Sequence, residues 1–188
     1  MALWGASDAD ESKPKNLTAA EKKEVYAAEA GWVLRGGSTL TGCDNTDATP
    51  EVLVAISGLA VSIGAADITN IDLITSSFSK AAGGTLSVRV TFNEEVDVTG
   101  TPQLEVDNDT NSNHTLSYAS GTGTYRLLFT LAIAAGNAAT DADDVLSIGA
   151  DALSLNGGTI KDKGTSTAST ITNVVAIGTA AGSLTVVA

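Results

Sequence analysis

The chain has 188 residues, 43% hydrophobic and only 4% aromatic, with 19 glycines and a formal net charge of −12. That length accommodates one domain of ordinary size plus an appendage. The acidity lies in residues 36–188, sixteen acids against five bases, whereas residues 1–35 carry six against five; this balance argues against nucleic acid or an anionic membrane as partner, since both need a basic face.

Small apolar and β-branched residues, with Thr and Gly, suit thin two-layer β structure better than a helix bundle. The single cysteine, Cys43, allows no intrachain disulfide and no Cys-rich metal site. The start "MALWGASDADESKPK" has no basic n-region, apolar h-region or cleavage site, so the expectation is a protein made in a cytoplasm without a secretory signal. No apolar run approaches the ~18 residues of a membrane span.

Residues 1–67 read as a docking segment. Ser7 to Lys15 is an extended polar arm containing Pro14. Thr18-Ala-Ala-Glu21 has the form of a capping box, in which hydroxyl and carboxylate satisfy each other's orphan amides. It predicts a helix over about 19–30, through "AAEKKEVYAAEA", ending at Gly31. Ala20, Val25 and Ala28 form only a thin apolar stripe, so such a helix needs a surface to lie on. The segment also holds Trp4, Tyr26 and Trp32, which include both tryptophans of the chain. Aromatic residues anchor interfaces. An arm expected to lack a core of its own therefore makes Trp4, Tyr26 and Trp32 candidate partner-binding residues, with Lys13, Lys15, Lys22 and Lys23 available for acidic neighbours. "GGSTLTGCDNTDATP" (36–50) has linker composition. "EVLVAISGLAVSIGAAD" (51–67) suggests two short strands, a buried helix being the alternative.

From residue 68 to the end the apolar pattern has period two. Leu86, Val88, Val90 and Phe92 share one face, and Leu104 and Val106, Leu116 and Tyr118, then Leu127, Phe129, Leu131 and Ile133 continue the alternation. Turn signals separate the runs: "GTP", "DNDTNSN", "SGTGT", "AAGNAATDADD" and "LNGG". About seven short strands so spaced predict an all-β antiparallel sandwich over 68–188. The acidic triplet Glu94, Glu95 and Asp97 reads as the end of one strand and the start of the next. Phe92 and Val96 face the core there, and Glu94 and Glu95 sit at a kink or bulge. The Gly pairs at 83–84, 121/123 and 157–158 supply hairpin turns rather than a phosphate cradle.

No residue set asks for catalysis. His114 stands beside a polar turn with nothing in sequence to orient it. Cys43 has no histidine near it. Glu94 and Glu95, as strand neighbours, point to opposite faces and so should not share a site as a glycosidase pair does. No cofactor is expected. Calcium, which takes six to eight oxygens from flexible loops, is the outside reading for "DADD" (141–144). Its ligands would be Asp141, Asp143 and Asp144, with Asp107 and Asp109 from "DNDTNSN"; neither run has EF-hand spacing, and Asn and Asp also favour turns for their own backbone-bonding reasons.

Three ordered segments carry a resemblance. Phe92-x-Glu94-x-Val96-x-Val98-x-Gly100-x-Pro102-x-Leu104, then Tyr118-x-Ser120-Gly121-x-Gly123 with Leu127 and Phe129, then Gly157-x-x-Ile160-x-Asp162 resemble the repeat unit of bacterial and phage Ig-like surface domains over roughly 68–175. The resemblance implies an Ig-like or cadherin-like sandwich used for adhesion or display, with no catalytic residues. The N-terminal "WGASDADESKPKNLTAAEKKEVYAAEAGWVL", with "PEVLVAISGLA", resembles the opening of virion proteins of T4-like marine cyanophages. Together they imply a bacteriophage virion structural protein, a capsid decoration protein above all. It would be assembled in the host cytoplasm and anchored by its arm to the major capsid protein, another virion protein or sister copies. The Ig-like domain would face outward, where it could touch host-surface glycans. A neck, tail or fibre component is the alternative within this class, and a bacterial adhesion module binding carbohydrate or protein the alternative outside it.

Overall fold

A computed structural model describes residues 17–40 and 49–188; Trp4, Lys13, Lys15 and Cys43 lie outside them. The capping box forms as the sequence predicts. The Thr18 amide donates to Glu21 Oε2 at 2.6 Å, and the Glu21 amide donates to Thr18 Oγ1 at 3.3 Å. The helix it starts, α1 (Ala19–Lys22), is a single turn, not the three turns expected. The chain turns instead into an antiparallel hairpin of β1 (Val25–Ala28) and β2 (Gly31–Leu34), with Tyr26 opposite Val33 and Ala27 opposite Trp32. Burying Val25, Tyr26, Trp32 and Val33 on both faces of a hairpin outweighs the modest helix propensity of the Ala, Glu and Lys among them.

Gly31 is a strand residue, not a helix stop. Its φ is +129°, and a Cβ there would lie 2.0 Å from the Val54 carbonyl oxygen, so glycine lets β3 (Glu51–Ala55) close against β2. After β3 the apolar run becomes the one-turn helix α2 (Leu59–Ser62) rather than a second strand.

The remaining elements are β4 (Ile68–Leu73), β5 (Phe78–Ser79), β6 (Gly84–Thr99), β7 (Gln103–Asn108), β8 (His114–Ser120), β9 (Thr124–Ile133), β10 (Val145–Ser147), β11 (Leu153–Ser154), β12 (Thr159–Asp162), α3 (Val175–Ala180) and β13 (Ser183–Val187). The class is all-β. Thirteen strands are present among the described residues, not seven, because the hairpin, β3 and several two- to four-residue strands join the longer ones. α3 interrupts the run that sequence alternation carries to the end of the chain. Strands neighbour one another in the order β3-β2-β1-β6-β9-β8-β7-β10-β13-β5, with β4 and β12 also on β6, and β11 on β7. Pairings are antiparallel except β1 with β6 and β5 with β13.

β6 corrects the reading of the acidic triplet. It is one strand of sixteen residues that changes partners along its length. Its first half lies between β4 and β9, and its second half pairs with β12. The ladder to β9 shifts register between Thr91 and Val96, which is the bulge expected at Glu94 and Glu95. Phe92 and Val96 are fully buried there, as the alternation predicts.

Leu86, Val88, Val90 and Phe92 of β6 pack with Leu127 and Phe129 of β9 in the main core, which the inward faces of β7, β8, β10 and β13 also join. Each such side chain contributes about 1.5–3 kcal/mol relative to exposure. A second core joins Val25, Ala27, Trp32 and Leu34 of the hairpin to Leu59 and Ile63. The N-terminal segment therefore has a core of its own, contrary to expectation.

Candidate functional site

The hairpin buries both of its faces inside the chain. On one, Trp32 is 1% exposed, and Val54 and Ile56 close around its cluster. On the other, Tyr26 and Val33 pack on Tyr125 of β9, the two tyrosine rings stacked with centroids 4.4 Å apart. Burial pushes the Tyr26 and Tyr125 hydroxyls up, that of Tyr125 to about 12. Trp32 and Tyr26, expected to bury against a partner, fill the chain's own interior.

Two carboxylates fasten the hairpin's base to the sheet. Glu24 receives the Arg126 guanidinium, Nη2 to Oε1 at 2.7 Å, and also pairs with Arg35. Asp72 of β4 receives Lys23 Nζ at 2.7 Å and Arg89 Nη2 at 3.0 Å. Arg126 Nη2 further donates to the Lys23 carbonyl at 2.5 Å. Burial raises both carboxyls, but the hydrogen bonds and charges of these cations outweigh it and hold each below the ordinary carboxylate range. Lys23, expected to meet an acidic neighbour on a partner, pairs with Asp72 of its own chain. Lys22 closes α1 at its last position and is partly exposed.

The acidic bulge opens on a cleft of about 420 Å³ bordered by Glu29, Val61, Glu94, Glu95, Asp162 and Lys163. Strand alternation predicts that Glu94 and Glu95 diverge; the register shift brings both to this cleft. Glu94 is fully buried opposite Ala27 of β1, and Glu95 holds Lys163 Nζ at 2.7 Å. Asp162 caps the next turn, its Oδ1 accepting from the Thr165 amide and hydroxyl at 2.5 and 2.8 Å.

The candidate calcium ligands are distributed among loop contacts. Asp144 is buried, and its Oδ2 accepts from Asn108 Nδ2 (2.8 Å), Asn111 Nδ2 (3.0 Å) and the Asp141 amide (2.8 Å), while Oδ1 accepts from the Thr110 hydroxyl. Burial raises the Asp144 carboxyl, yet those donors together outweigh it and hold it well below the usual range. Asp141 pairs with Lys80. Asp143 is exposed with φ +73°. Asp109 Oδ1 accepts from the Val145 amide at 2.8 Å, and Asp107 Oδ1 from Asn113 Nδ2 at 3.0 Å. Among the described residues no three His, Cys, Asp or Glu side chains are grouped to hold a metal, and no helix is long and apolar enough to cross a membrane. His114 is buried on β8, and burial lowers its pKa against the opposing pull of Asp144.

Sequence reasoning missed Asp72, Arg35, Arg89 and Arg126. Asp72 carried no signal, and that of the arginines was only their scarcity, with Arg89 and Arg126 standing at polar positions of the strand alternation. Comparison with protein-family models, with curated proteins and with solved structures finds no match.

Proposed function

We propose that this chain is a bacteriophage virion structural protein, and specifically a capsid decoration protein that displays an Ig-like domain. The strand order carries the domain reading. β4, β6, β9 and β8 neighbour one another in that order, and β7, β10, β13 and β5 do so in turn, with β8 also paired to β7. β4 pairs with β6 in the first run, and β5, the next strand in the chain, lies parallel to β13 in the second. An Ig-type sandwich orders its first, second, fifth and fourth strands on one sheet and its third, sixth and seventh on the other, and this reading gives those places to β4, β6, β9 and β8 and to β7, β10 and β13. The same reading is supported by the three ordered motifs, whose residues fall on β6 and β7, β8 and β9, and β12.

The hairpin makes one unit with this domain, through the tyrosine stack and the two shared carboxylates. Within this proposal Tyr26, Trp32 and Lys23 build the platform, Lys22 lies at its edge, and residues 1–16, with Trp4, Lys13 and Lys15, make the contact with the major capsid protein. The acidic domain then faces outward, where charge keeps neighbouring copies apart.

The test uses decoration-free capsids of a T4-like cyanophage. The full chain is expected to co-sediment with them saturably, and a chain lacking residues 1–16 to stay in the supernatant while melting as the full chain does. Failure of the full chain to co-sediment overturns the capsid assignment. Equal binding by the truncated chain overturns the docking role of the arm.

A further inference from the structure

A second cleft, of about 430 Å³, opens where the base of the hairpin meets β6, bordered by Lys23, Glu24, Arg35, Thr39, Leu40 and Arg89. With Arg126 behind Glu24, four cations gather around the carboxylates Glu24 and Asp72. The cluster thus carries two positive charges in excess, in a chain whose net charge is −12. Both carboxylates are already shared, each between two cations. Arg89 presents five N–H donors, of which Nη2 reaches Asp72, while its Nε is buried without a hydrogen-bond partner among the described residues. A buried guanidinium donor without an acceptor is costly. The planar fork of a guanidinium suits carboxylate, sulfate and phosphate oxygens, which can span two N–H groups at once. The side chains of Lys23, Arg35 and Arg89 are each about a third exposed, so an incoming anion can reach them from solvent.

We infer that this cleft is an oxyanion-binding site that takes one carboxylate, sulfate or phosphate group on Arg89, Lys23 and Arg35. The inference rests on the cation cluster and its cleft, and stands whether or not the chain decorates a capsid. The anionic group has two sources, a free inorganic ion or an acidic side chain of another protein.

The full chain is to be titrated at constant ionic strength with sodium sulfate and, separately, with a tetraglutamate peptide, while the arginine Nε–H signals are followed by NMR. At least one probe should produce saturable shifts at Arg89, sulfate pointing to an inorganic ion and the peptide alone to a protein carboxylate. Arg89→Lys keeps a cation for Asp72 but removes the fork, and should weaken binding by roughly tenfold or more. Arg35→Lys is the second variant should the first fail to fold, and Lys163→Gln, in the other cleft, should change nothing. Non-saturating shifts with both probes, or undiminished binding by the folded lysine variant, would overturn the site.

Discussion

The ring of Tyr26 lies flat on the ring of Tyr125, with centroids 4.4 Å apart and planes 12° from parallel. This stack seats the N-terminal hairpin on β9. The Arg126 guanidinium stands 5.1 Å from the centre of the Tyr125 ring, close enough for cation–π attraction. The Tyr125 hydroxyl, by contrast, is buried with no hydrogen-bond partner among the described residues. Ring and hydroxyl therefore act in opposite senses. Tyr125→Ala is expected to lower unfolding free energy by about 3–5 kcal/mol, whereas Tyr125→Phe should leave it unchanged or raise it by about 1 kcal/mol. Urea denaturation of the two variants checks this; equal losses would mean that the hydroxyl has an acceptor.

Trp32 tests whether the hairpin core belongs to the global fold. It is fully buried among Val25, Ala27, Leu34, Leu59 and Ile63. Trp32→Ala should cost about 3–5 kcal/mol, a large share of the ~5–15 kcal/mol that holds an ordinary domain. Trp32→Phe should cost less than half as much. If Trp32→Ala melts like the parent chain, the hairpin unfolds separately from the main core.

The two halves of the chain were legible to different degrees. Over 84–133 strand alternation named the inward residues almost one by one, because β6, β8 and β9 each bury one face and period two follows directly from that. The N-terminal segment misled. A capping box is a local signal and formed, but the next residues answer to tertiary burial on two faces, which no local propensity reports. Tyr26 and Trp32 looked like anchors for an outside partner because Tyr125, Leu59 and Ile63 are distant in sequence. The same distance hid the pairing of Lys23 and Arg89 on Asp72. At Glu94 the sequence showed that alternation breaks but not which way the carboxylates turn, since a bulge resets both faces at once.

Asp144 should govern stability in acid. Its folded pKa is depressed by four donors, so its contribution is complete above the unfolded carboxylate value of about 3.9 and is lost as pH falls below it. Glu24 and Asp72 act in the same sense and window. Asp144→Asn should lower stability at neutral pH by about 2 kcal/mol or more, since the amide nitrogen cannot accept from the donors facing it. It should also flatten the decline of melting temperature below pH 4. A variant with an unchanged acid limb would remove Asp144 as its source.

Chelation is expected to leave the melting temperature unchanged at neutral pH. Asp144 already accepts from four protein donors, and Asp141 is paired with Lys80. A calcium ion would have to displace these contacts to gather its oxygens. Melting the chain in EDTA and again in millimolar calcium measures this. A rise in calcium that Asp144→Asn abolishes would restore the loop as a metal site.

His114 works in a higher pH range, through a different cause. It is 4% exposed, its Nε2 has no hydrogen-bond partner among the described residues, and burial depresses its pKa. The folded state therefore prefers the neutral imidazole, while the unfolded chain takes up a proton near pH 6.5. Between that value and the lower folded pKa the unfolded state binds more protons, so stability rises with pH across this window and is lost on descending through it. Asp144 opposes the effect by favouring the imidazolium, which makes the loss shallow rather than abrupt. His114→Phe places an apolar ring in the same buried position, so unfolding free energies measured at pH 5 and pH 7.5 should converge in the variant and differ in the parent chain. Equal pH dependence in both would mean that His114 titrates as an exposed histidine does.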